Sequence, residues 1–179
     1  MVGTSFSANV YTNIPLEPEQ PSTYVWTLYF QALHYSYLGL HERAAQLLEQ
    51  TIAHTPTLPE LYMARARNLK RAGDYIGAAA AMEAARAMDG QDRFLNTKCA
   101  TYRLRAGDID EAQKLFGMFT KKDAPTPGND LEDMQSLKYL LEDGEARFRA
   151  GKLAMALKRF RAVDRVSLRG FVCTMTMTK

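Results

Sequence analysis

Three glycines, Gly39, Gly73 and Gly107, lie thirty-four residues apart, and their neighbours keep the same step. Seven positions before them stand Ala32, Ala66 and Ala100, and five positions after them stand Ala44, Ala78 and Ala112. Four positions further on come Leu48, Met82 and Phe116. Three columns held over three units fit a helix–turn–helix that repeats and stacks. Small residues let the two helices of a unit approach closely, glycine relaxes the backbone as the chain leaves the first helix, and the larger apolar residue fills the space between units.

A period of 34 is that of the tetratricopeptide repeat (TPR). The expected fold is therefore all-α, a TPR-type solenoid of helical hairpins. Residues 1–21 hold three of the seven prolines and read as an extended lead-in. Ser22 or Thr23 is expected to cap a first helix running through Trp26, Tyr29, Phe30 and Leu33 to about Leu38. A second helix from about His41 to His54 closes at Pro56. The next hairpins read as about 58–88 and 92–120, with the turns Ala72-Gly73-Asp74 and Ala106-Gly107-Asp108, in which Asp74 and Asp108 suit an N-cap.

A surface loop at 121–130 interrupts the pattern. Gly144, Gly151, Ala156 and Phe160 then resume the columns, displaced by ten residues. They indicate a fourth hairpin at 130–166, built of helices from about Leu131 to Ala150 and Lys152 to Val166. The tail 167–179 continues no stripe and reads as irregular, with no polar-faced helix to cover the last repeat. Either a partner covers that end or the chain is a slice of a longer solenoid, and the slice is the favoured reading.

The composition is that of a foldable chain, 46% hydrophobic and 24% charged. A net charge of +3 does not by itself imply nucleic acid, and no sequence-specific nucleic-acid binding is expected. The first twenty residues lack the charged start and apolar run of a secretory signal, and no stretch reaches membrane-span length. A cytoplasmic protein without membrane association is the expectation. Cys99 and Cys173 have no companions at metal spacing, and Cys99 beside Ala100 reads as a buried free thiol.

Catalytic and cofactor motifs are absent: there is no GxSxG, Walker loop, HExxH or CxxC, and no Gln or Arg has a glycine three positions later as an acyl-CoA loop requires. No metal site is expected. His34, His41 and His54 are scattered, and Glu142 and Asp143 are expected on solvated surface. One constellation stands out. Arg67, Lys70 and Arg71 fall at i, i+3 and i+4 on one helix face, and the next first helix carries Arg93 and Lys98. Side by side, these can gather around a polyanion through charge-assisted contacts; the alternative is that they are ordinary solvated cations. A chaperone-tail carboxylate clamp is disfavoured, because Tyr29, Leu33 and Ala64 occupy its places and only Lys98 fits.

The run Asp92-Arg93-Phe94-Leu95-Asn96-Thr97-Lys98-Cys99-Ala100 resembles a stretch of the auxiliary subunit of the NatA N-terminal acetyltransferase. Thr27-Leu28-Tyr29-Phe30 with His34-Tyr35, Thr55-Pro56-Thr57-Leu58, Lys70-Arg71-Ala72-Gly73, Phe119-Thr120-Lys121 and Met134-Gln135 extend the resemblance over most of Thr23 to Val166. It implies a non-catalytic TPR scaffold that wraps a catalytic acetyltransferase subunit and helps to seat the complex on ribosomes, where nascent N-termini are acetylated. The catalytic subunit would bring the acetyl-CoA site. The resemblance also implies inositol hexakisphosphate at the subunit interface, held by Arg67, Lys70 and Lys98, with Arg93 as a further candidate. The chain is much shorter than full-length members. The competing function is a generic TPR adaptor that binds a peptide or helix in its concave groove, with Trp26, Tyr29 and Phe30 as contacts.

Overall fold

The computed structural model describes residues 21–120, 131 and 136–176, the last nine of these as backbone only. Eight helices are described: α1 (Pro21–Tyr37), α2 (His41–His54), α3 (Pro59–Arg71), α4 (Tyr75–Met88), α5 (Arg93–Ala106), α6 (Ile109–Gly117), α7 (Leu137–Arg149) and α8 (Leu153–Thr176). They pack in sequence as antiparallel pairs, and α1 also meets α3 while α5 meets α7. That is the arrangement of a TPR solenoid, with the first helices of successive units side by side.

The columns seen in the sequence form its interior. Ala32, Leu48 and Ala64 make one cluster, and Ala66, Ala78, Met82, Leu95 and Cys99 a second. A third joins Ala100, Leu104, Ala112, Phe116, Leu131, Tyr139 and Leu140. The alanine columns are buried to 0–1% exposure, so no larger side chain fits where the paired helices meet. Gly39, Gly73, Gly107 and Gly151 all have positive φ, between 73° and 92°, which explains the turn column: an L side chain is strained there. Gly144 serves a different purpose. A Cβ there would lie 2.8 Å from the Phe160 ring, so the glycine allows α7 and α8 to close on each other.

Several local expectations are corrected. α1 begins at Pro21, so Ser22 and Thr23 lie inside its first turn rather than capping it. Proline suits that first position because its missing N–H has no partner in a helix start. The Asp74 carboxylate caps α4, accepting from the Gly77 amide at 2.8 Å. Asp108 precedes α6 without capping it, because Arg103 Nη1 holds its carboxylate at 2.8 Å. The tail expected to be irregular continues α8 as helix to Thr176, since nothing between Val166 and Thr176 breaks a helix beyond the single Gly170. The lead-in at 1–20 and the loop at 121–130 fall outside the described residues. Among the described residues no helix is long and apolar enough to cross a membrane.

Candidate functional site

α3 carries Arg67, Lys70 and Arg71, and α5 carries Lys98 and Arg105. The Lys70 ammonium lies 5.9 Å from the centre of the Tyr102 ring, and Lys98 lies 5.4 Å from that of Phe94. Burial holds the pKa of Lys70 below its ordinary value, and Arg105, Arg71, Arg67 and Lys98 lower it further, in that order. Those four cations therefore stand close to it. Lys138 extends the group: burial lowers its pKa first, then Lys98, while Glu142 opposes and Arg105 adds to the lowering. A cleft of about 340 Å³ opens here, lined by Lys70, Tyr75, Arg105, Glu145 and Arg149.

Some of these cations are already engaged. Arg105 grips Glu142 through Nε at 3.0 Å and Nη2 at 2.5 Å, tying α5 to α7. Arg71 Nη1 donates to Ser36 Oγ on α1 at 3.1 Å, and Arg149 Nη2 to the Leu104 carbonyl on α5 at 3.3 Å. Arg67, Lys70, Lys98 and Lys138 form no ion pair among the described residues. Like charges crowded at a partly dehydrated surface favour an anion of several charges, which removes their repulsion and gains charge-assisted hydrogen bonds.

Of the residues picked out in the sequence, Arg67, Lys70 and Lys98 come together. Arg93 does not join them. It lies five positions before Lys98, about 140° around the helix, and its guanidinium rests 6.0 Å from the Phe119 ring. It lines a second cleft with Thr97, Phe116 and Lys138, the last of which also neighbours Lys98. Arg105 and Lys138 went unnoticed in the sequence. Arg105 had a signal: it stands thirty-four residues after Arg71 and forty-four before Arg149, in the same place of each unit. Lys138 had none, because its column holds Trp26, Glu60 and Phe94.

The reading of Glu142 and Asp143 as solvated surface is overturned. Glu142 holds Arg105, and Asp143 is fully buried. Its Oδ2 accepts from Arg147 Nε at 2.9 Å and from Arg159 Nε at 2.7 Å, so one carboxylate joins two arginines across the last hairpin. Cys99 is a buried thiol as expected. Burial, and then its contact with Glu83 at 3.2 Å, push its pKa up to about 12, so it is no nucleophile. His41 is structural: its Nδ1 meets Asn68 Oδ1 at 3.0 Å, while Asn68 Nδ2 donates to the His41 carbonyl at 2.9 Å. No group of three metal-ligating side chains occurs among the described residues.

A family model described as the auxiliary subunit of N-terminal acetyltransferase A matches residues 4–167. The chain belongs to that family. It is similar to the Arabidopsis thaliana N-terminal acetyltransferase A complex auxiliary subunit NAA15, 42% identical over 147 residues, which are 82% of this chain and 16% of that protein. The human N-alpha-acetyltransferase 16, NatA auxiliary subunit, is 38% identical over 149 residues, 83% of this chain and 17% of its own length. A chain in the solved structure of Naa15/Naa10 bound to HypK-THB superposes with a TM-score of 0.78 at 38% identity, covering 83% of this chain and 23% of that one. The likeness to MamA, with a TM-score of 0.57 at 17% identity, concerns the fold alone. This NatA auxiliary-subunit chain thus spans about a sixth of the length of the curated relatives it matches.

Proposed function

We propose that the chain is a non-catalytic scaffold segment of a NatA-type N-terminal acetyltransferase, which binds and shapes a catalytic subunit for co-translational acetylation of nascent N-termini. The observation that carries this is its family membership, together with its likeness to a chain of the Naa15/Naa10 complex. The setting that follows is the cytoplasm, with the ribosome met through the whole complex. Co-expression with a catalytic acetyltransferase subunit is the test: a full-length version that recovers no such subunit on purification refutes the reading.

The anion read for the basic face is inositol hexakisphosphate at the subunit interface, with Arg67, Lys70 and Lys98 as ligands and Arg105 and Lys138 beside them. Its support is the crowding that depresses Lys70 and, among the described residues, the lack of ion pairs at Arg67, Lys70, Lys98 and Lys138. Phytate at a hundredfold over Kd adds about 2.7 kcal/mol of stability, a rise in Tm of roughly 5–10 °C for a chain of this size. Lys70→Glu with Lys98→Glu is expected to abolish the rise in the complex; an undiminished shift moves the site elsewhere.

A further inference from the structure

Lys70 lines the cleft of about 340 Å³ together with Tyr75, Arg105, Glu145 and Arg149. Glu142 and Glu145 on α7 are held by Arg105 and Arg149, and Lys70 has no carboxylate among the described residues. Its ammonium faces the Tyr102 ring instead, and Tyr102 is itself only 8% exposed. That phenol registers the same surroundings: burial raises its pKa, while Arg67, Arg105 and Arg71 lower it. Arg67, Arg71 and Lys98 form no ion pair among the described residues, so their charges act on Lys70 uncompensated. An amine so placed gives up its proton more readily than an ordinary lysine, and the free amine is the nucleophile. Lys138 meets the condition in part, but Glu142 works against it. Lys114 is the opposite case, since Glu111 holds its ammonium at 2.5 Å and its side chain is 70% exposed.

We propose that Lys70 is a modification site, acylated without an enzyme by a phosphate-bearing acyl donor that the surrounding cations gather. The donor is an acyl phosphate or the thioester of a phosphorylated carrier. Its phosphate is held by charge-assisted hydrogen bonds to Arg67, Arg71 and Lys98, which leaves its acyl carbon beside the Lys70 amine. Those three cations outweigh the double charge of an acyl phosphate, so the excess that favours the free amine survives when the donor is bound. The Lys70 nitrogen attacks the acyl carbon, and a C–N bond forms as the bond from that carbon to the phosphate oxygen or the thioester sulfur breaks. The leaving group takes the electron pair and the proton that the nitrogen releases. The product is a neutral amide, and the basic face loses one cation. The modification stands apart from the inositol phosphate reading; only its consequence there, the loss of one ligand, rests on that reading.

Incubating the full 179-residue chain with isotopically labelled acetyl phosphate or acetyl-CoA near neutral pH tests the proposal. Mass-spectrometric mapping gives the acylation rate of each lysine. Lys70 is expected to react roughly tenfold or more faster than Lys114 with at least one donor, although Lys114 is the more exposed of the two. The donor that shows the preference identifies the source of the phosphate. The neutral acetyl ester of N-hydroxysuccinimide has no phosphate to gather and is expected to lose most of the preference. Arg67→Gln with Lys98→Gln is expected to slow Lys70 about tenfold and to leave Lys114 unchanged, an internal control for the fold and the reagent. Equal rates at Lys70 and Lys114 with both phosphate donors overturn the proposal. So does a preference undiminished with the neutral ester or in the double variant.

Discussion

Asp143→Ala is expected to be among the most damaging single changes in the chain. The carboxylate is fully buried, and the side chains of Arg147 and Arg159 are only 10% and 6% exposed. Removing it deprives two buried guanidiniums of their shared acceptor. Breaking a buried pair in this way costs about 3–5 kcal/mol, because the charge left behind is not rehydrated. In a solenoid the loss is felt locally, since each unit leans only on its neighbours. The α7–α8 hairpin should therefore open first, and amide exchange along 137–167 should accelerate by roughly two to four orders of magnitude at about 1.4 kcal/mol per factor of ten. Exchange in α1 to α4 should stay within a few-fold of the parent. The control is Asp143→Leu with Arg147→Met and Arg159→Met, which removes all three charges and is expected to recover most of the loss. A loss below about 1 kcal/mol in the single variant, or uniform acceleration over the whole chain, would refute the reasoning.

Three other predictions use different measurements. The Arg86 hydrogen bond, followed after an opposing burial effect by that of Arg103, depresses Glu83 from 4.5 to about 2. Its stabilising effect is therefore complete above pH 4.5 and is lost as pH falls towards 2. Glu83→Gln should flatten that acid limb in a pH series of thermal melts. Gly107→Ala meets no steric obstacle but forces an L side chain to a φ of 92°. It should cost about 1–2 kcal/mol by denaturant titration. In a Cys173→Ser background the Cys99 thiol should resist iodoacetamide at pH 8 in the native protein and react promptly in denaturant.

The solenoid could be read from sequence because its information is periodic. Ala66 is explained by Ala32 and Ala100, so one misread position does not change the answer. Asp143 has no such support. Its partner Arg159 lies on the following helix, and only the crossing of α7 and α8 brings the two together. Beside Glu142 it looked like one of two surface acids, although both proved to be ion-pair partners of arginines. The basic face was half visible. Lys70 and Lys98 were found by their spacing on α3 and α5, and Arg105 was recoverable from the thirty-four-residue step. Lys138 has no such signal, because the matching places of the earlier units hold Trp26, Glu60 and Phe94. Arg93 turns about 140° around the helix from Lys98, towards Phe119.

Two of the arginine contacts between units also have a direction in time. Arg71 reaches back to Ser36 near the end of α1, and Arg149 reaches back to the Leu104 carbonyl near the end of α5. In both cases a later unit completes the C-terminal end of an earlier first helix, where a cation is welcome. A chain emerging from its N-terminus at 5–20 residues per second makes Arg71 about 2–7 s after Ser36. During that delay the first hairpin lacks its finishing contact, and α1 keeps a loose end until its successor is synthesised.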